Sequence, residues 1–120
     1  MSRASVGDTK QELRLSWIDA MRRDEIIARL REVEPKLRTF GVGALYLFGS
    51  HARDEAQADS DVDVFVDPIS EASFDFLKYM DAYETIRKSI GENVPVGYST
   101  REGLSPYVRA NVEHEAIRVF

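Results

Sequence analysis

The chain has no cysteine among its 120 residues, which excludes disulfide bridges and thiolate chemistry and fits a reducing cytoplasm. It has no apolar stretch near the roughly 18 residues needed to cross a bilayer as a helix. Its first residues, Met1-Ser2-Arg3-Ala4-Ser5-Val6-Gly7-Asp8, are polar, with no apolar core of the kind a secretory signal needs. It also lacks a surplus of positive charge. Sixteen Lys and Arg stand against 21 Asp and Glu, a formal charge of −5, so a non-specific nucleic-acid binder with a basic face is disfavoured. No internal repeat or low-complexity segment is present. What remains is an ordinary globular composition, 43% hydrophobic and 31% charged, in a length that suits one domain and one core.

Periodicity predicts an α+β fold: a small mixed sheet of three or four strands with helices packed on it. Residues 1–22 read as a polar lead-in followed by a helix, in which Leu13, Trp17, Ile18 and Met21 fall at helical spacing and Trp17 anchors the packing. Residues 23–120 read as the domain proper. Ile26, Ile27, Leu30, Val33 and Leu37 form an amphipathic helix with Asp24 as its cap, split or kinked by Pro35 and stopped by Gly41. Val42 to Phe48 is nearly all apolar and predicts a strand buried on both faces. A second strand runs from Asp61 to Val66, stopped by Pro68, and a third from Val94 to Ser99. Between these two, Phe74, Leu77, Met80, Tyr83, Ile86 and Ile90 make a helical core stripe closed by Gly91. Leu104, Tyr107, Val108 and Val112 predict a further helix, and Ile117 to Phe120 a terminal strand or interface tail.

The chemistry concentrates where the first strand ends and the second begins. Gly49-Ser50 closes the first apolar run; ten residues later Asp61-Val62-Asp63 opens the next. Side chains alternate along a strand, so Asp61 and Asp63 share a face about 7 Å apart along the backbone and can converge on divalent cations. Magnesium suits such a pair, because it is commonly held by one or two carboxylates plus substrate phosphates. Gly49 lets the backbone approach an anion, Ser50 adds a hydroxyl, and Arg53 can meet a phosphate or pair with a loop aspartate. Alone, an Asp-x-Asp is a solvated loop end and a Gly-Ser only a turn. Together at this spacing they arise by chance on the order of once in several hundred chains, and they suit nucleotidyl transfer from a nucleoside triphosphate. His51 reads as a surface loop residue, His114 as a solvated helix residue, and Asp54, Glu55, Asp59 and Asp67 as solvating charges.

Gly49-Ser50-x10-Asp61-x-Asp63, with Ala52-Arg53 inside it, resembles the signature of the DNA polymerase beta-like nucleotidyltransferases, and within them the minimal nucleotidyltransferases. The likeness covers about residues 24–120 and extends to Pro35-Lys36-Leu37 and to Thr100-x3-Leu104-x-Pro106-Tyr107. It implies that Gly49 and Ser50 hold the triphosphate of ATP, that Asp61 and Asp63 bind magnesium, and that AMP passes to an acceptor hydroxyl. It further implies an acceptor bound in trans: a HEPN-type toxin for which this chain is the antitoxin, acting by adenylylation or by binding alone. A homo-oligomer is compatible with this reading, whereas transfer to a small molecule is disfavoured. Two positions depart from the family pattern. Asp54 stands where a glycine is common, and Gly97, in Val94-Pro95-Val96-Gly97-Tyr98, stands where a third carboxylate is expected. Glu92 and Glu102 flank that strand as substitutes. Asp67 shares the face of the pair but lies roughly 20 Å from Asp61 along the strand.

Overall fold

Pro35 divides the first helical pattern in two. In the computed structural model, which describes residues 22–120, α1 spans Arg23–Glu32 and α2 spans Glu34–Thr39. Pro35 lies in the first turn of α2, where its missing N–H costs nothing. The helix expected over Glu12 to Met21, with Trp17, lies outside the described residues. Asp24 is not the cap: Arg22 precedes the helix, and Asp24 sits in the first turn, where its charge favours the positive end of the helix dipole. Ile26, Leu30 and Leu37 are fully buried, with Ile27 and Val33 packed beside them. Gly41 then takes φ +92° and turns the chain into the sheet.

β1 (Val42–Phe48) and β2 (Val62–Pro68) pair antiparallel, with Leu45 opposite Val66, Leu47 opposite Val64, and Phe48 opposite Asp63. β2 starts one residue later than the sequence predicts and ends with Pro68 inside it. β3 (Val96–Thr100) joins β2 in parallel, and β4 (Ile117–Arg118) joins β1 antiparallel, giving the order β3-β2-β1-β4. The mixed α+β architecture is therefore as expected, and the terminal segment resolves as an edge strand.

The sheet's two faces differ. Leu45, Leu47, Val62, Val64 and Val66 face the helices and join Ile26, Leu30, Leu37, Ala82, Ile86 and Ile90 in one core. Each fully buried aliphatic side chain there contributes about 1.5–3 kcal/mol. The opposite face carries Tyr46, Phe48 and Phe65, which stack on one another, with the Arg101 guanidinium 4.9 Å from the centres of Tyr46 and Phe65. The apolar run of β1 thus reflects aliphatic packing on one side and a half-buried aromatic layer on the other, rather than helices on both.

α3 (Phe76–Ile90) starts later than its hydrophobic stripe suggests, because Asp75 accepts a hydrogen bond from the Lys78 amide and caps it. Phe74 falls outside α3, ending a 3-10 turn over Glu71–Ser73. Leu77, expected in the core, is 72% exposed. The C-terminal part of α3 supplies the buried residues Ala82, Thr85, Ile86 and Ile90, and its middle meets β3 through Tyr79 and Tyr83, whose rings lie 4.7 and 5.4 Å from that of Tyr98. α4 (Pro106–Glu115) is capped by Ser105 and contributes buried Val112, while Tyr107 and Val108 of its predicted apolar stripe are exposed. Among the described residues no helix is long and apolar enough to cross a membrane.

Candidate active site

The turn after β1 is held by its own backbone. The Arg53 amide donates to the Gly49 carbonyl (3.2 Å) and the Glu55 amide to the Ser50 carbonyl (2.8 Å). Asp54, which stands where a glycine is common, has φ +60°. Asp is among the few residues that tolerate this left-handed conformation, so the departure preserves the turn. Arg23 of α1 donates to the Ala52 carbonyl and ties the turn to the helical layer.

His51, expected at the surface, is only 3% exposed. Its Nδ1 lies 2.9 Å from the Asp61 carbonyl oxygen. One side chain thereby links the turn to the residue that opens β2 and fixes the span between the two halves of the motif. A histidine after Gly-Ser carries no hydrophobic period, so its burial left no mark in the sequence.

Asp61 is exposed in the loop end just before β2, and Asp63 sits within β2. Asp63 is the centre of the arrangement. A Cβ at Gly49 would collide with Oδ2 of Asp63, and a Cβ at Gly97 would come within 2.5 Å of Oδ1. Gly49, at φ +78°, is therefore required both by its backbone and by the carboxylate beside it. The structure brings Gly49 and Asp63 into direct contact, with Asp61 two residues away.

Burial pushes the Asp63 carboxyl above its ordinary value, and the neighbouring charge of Asp61 pushes it further, while His51 and Arg53 oppose the rise. Among the described residues no protein donor hydrogen-bonds to the carboxylate of either aspartate. Two crowded, unclaimed oxygen donors of like charge fit a hard divalent cation such as magnesium. No group of three possible ligands is assembled among the described residues, so substrate oxygens and water would have to complete the shell.

Gly97 is the register partner of Asp63 on the adjacent parallel strand. Glu102 lies five residues along β3, about 16 Å away, beyond the opposite end of the strand. Glu92 is exposed in the turn ahead of β3 and does not contribute to the raised Asp63 value. Neither is paired with Asp63 in the sheet. Asp67 is not a solvating charge: Arg101 grips both its oxygens, at 2.9 and 2.8 Å. That pair forms one wall of a cavity of about 230 Å³ with Glu71, Phe74 and Thr100, at the far end of β2 from the aspartates.

Arg53 does not meet a loop aspartate. It donates to Glu55 and to Glu115, at 3.0 and 2.8 Å. Glu115, at the end of α4, also accepts from the Gly49 amide at 2.9 Å. It is a site residue that sequence reasoning missed, because 66 positions separate it from Gly49 and no spacing rule links them. His114, its neighbour, is exposed, as predicted.

Known proteins resemble this chain. A family profile described as a nucleotidyltransferase domain matches residues 27–119. A candidate protein adenylyltransferase of Methanocaldococcus jannaschii is 31% identical over 81 residues, 67% of this chain and 79% of that protein. The solved structure of a candidate minimal nucleotidyltransferase superposes with a TM-score of 0.67 at 30% identity, covering 81% of this chain and 95% of that one. A toxin-antitoxin structure with AMP-PNP superposes at 0.56 and 19% identity, over 83% of this chain and 73% of the other, a likeness of fold. With the Gly-Ser turn seated against Asp63 at the heart of the matched region, this chain belongs to the nucleotidyltransferase domain family.

Proposed function

We propose that the chain is an antitoxin that binds ATP with magnesium and transfers AMP to a hydroxyl of a partner protein, a HEPN-type toxin of the reducing cytoplasm. The observation that carries this reading is the contact between Gly49 and Asp63, a turn of the kind that suits phosphate against a carboxylate of the kind that suits a metal ion. The M. jannaschii relative, a candidate adenylyltransferase acting on protein, and the fold shared with a toxin-antitoxin structure support the acceptor class.

Asp61 and Asp63 would hold magnesium, which when bound neutralises phosphate charge as the reaction proceeds. Gly49 and Ser50 offer an amide and a hydroxyl to the triphosphate, fixing the α-phosphorus near the pair. The acceptor hydroxyl oxygen bonds to the α-phosphorus as the bond to the bridging oxygen breaks, pyrophosphate leaves, and the hydroxyl proton passes to solvent. His51 takes no part in bond-making; it keeps Asp61 in register with the turn. Intact-mass measurement of a partner incubated with the chain, magnesium and ATP should show the gain of one AMP, and Asp61→Asn should abolish it.

Gly97 favours a second reading. At the β3 position paired with Asp63, Gly97 offers no carboxylate to accept the hydroxyl proton, a role commonly worth about 10²–10⁴ in rate. On this reading the fold neutralises its partner by binding alone. The Asp61→Asn/Asp63→Asn double variant separates the two: it keeps full neutralisation if binding suffices and loses it if transfer is required.

A further inference from the structure

The groups assigned to the triphosphate are already holding an anion. The Gly49 amide and the Arg53 guanidinium, the two strongest anion donors of the turn, converge on the two oxygens of one carboxylate. Glu115 Oε2 takes the amide at 2.9 Å and Oε1 takes Arg53 at 2.8 Å. A backbone N–H plus a guanidinium on paired oxygens is the donor pattern that phosphate oxygens use. Glu115 does not serve as a third metal ligand, since no three carboxylates gather at metal-binding distance among the described residues.

We infer that Glu115 is a built-in occupant of the triphosphate seat, displaced from Gly49 and Arg53 when a polyphosphate binds. The inference deepens the proposed function and rests on its assignment of Gly49 to the phosphates. Displacement requires only the side chain to swing away. Glu115 is the last residue of α4, and Ile117, two positions on, is anchored by pairing with Leu47 of β1. The competing account makes Glu115 a brace that holds the turn in its binding shape.

The two accounts predict opposite signs. Inorganic tripolyphosphate, titrated calorimetrically into the full chain with a chelator present, reads the anion seat without metal or nucleotide. Glu115→Gln keeps an oxygen for the Gly49 amide but drops one of the two carboxylate charges that pair with Arg53, Glu55 keeping the other, and should bind tripolyphosphate about tenfold more tightly than wild type. That gain should vanish in an Arg53→Gln background. Glu113→Gln, which removes a charge from the same helix but is tied to Arg101, should leave affinity nearly unchanged. Unchanged or weaker binding by Glu115→Gln, or an equal gain from Glu113→Gln, overturns the inference.

Wild-type protein gives a check independent of any variant's folding. The Gly49 amide resonance should move on adding tripolyphosphate, and a resonance that stays put also overturns the idea. Because neither readout involves catalysis, a failure of AMP transfer leaves this result standing, and the converse holds as well.

Discussion

At the scale of single residues, Asp63 is held against its own charge. Its carboxylate is half-buried between Gly49 and Gly97 and faces Asp61, and burial followed by that like charge raises its proton affinity in the folded state. The folded protein therefore holds the proton more tightly than the unfolded chain, and stability falls as pH rises from the ordinary value of 3.8 through the raised one. At neutral pH the ionised side chain destabilises the fold. Asp63→Asn should accordingly melt at a higher temperature than wild type at pH 7, an advantage that shrinks below the ordinary carboxyl range. Magnesium should reverse the order, since only wild type offers it both carboxylates; thermal melts with and without the ion check both signs. Asp61 and Asp63 were legible because a strand's period of two puts them on one face. Glu115 was not, because its relation to Gly49 exists only once α4 is laid across the site. The burial of His51 was hidden for a similar reason: it depends on a contact with the Asp61 backbone rather than on any pattern of side chains.

At the scale of elements, sequence reasoning did best where one periodic signal controlled the outcome. β1 matches its predicted bounds residue for residue, and Pro35 splits the first helix as backbone chemistry requires. It failed where a helix meets the sheet over only part of its length. In α3 the apolar stripe continues to Leu77, yet contact with the sheet begins at Tyr79, whose ring lies 4.7 Å from that of Tyr98, so the exposed N-terminal turn keeps hydrophobic residues without a core to enter. The aromatic face of the sheet was also misread, because an apolar strand does not say whether helices or a cation cover it. Here the cover is Arg101, which clamps Asp67 with both arms of its fork, reaches Glu113 on α4 at 2.8 Å, and lies over two rings. Lysine keeps the charge but loses the fork and the flat stacking surface. Arg101→Lys should cost about 1–2 kcal/mol in urea unfolding, because it unpins α4 from the sheet.

For the whole molecule, the topology decides what the site can become. The parallel pairing of β2 with β3 puts position 97 directly beside Asp63, and the sequence leaves that position as glycine. The space is not empty. Oδ1 of Asp63 leans to within 2.5 Å of where a Cβ would stand, so any side chain there must turn Asp63 away. Gly97→Asp thus does two things at once: it crowds three carboxylates onto one edge of the sheet, and it supplies a proton acceptor for a hydroxyl nucleophile. With a chelator present the variant should melt below wild type, since like charges accumulate with no ion to separate them. Magnesium should raise its melting temperature by more than it raises that of wild type, because a third hard ligand strengthens the ion's hold on the native state. If the domain transfers AMP slowly for want of this acid, the same variant should label its partner faster, by up to about 10²-fold. A magnesium-dependent melting shift no larger than that of wild type would show that position 97 does not face the ion. The binding-only reading of Gly97 would then lose its structural support.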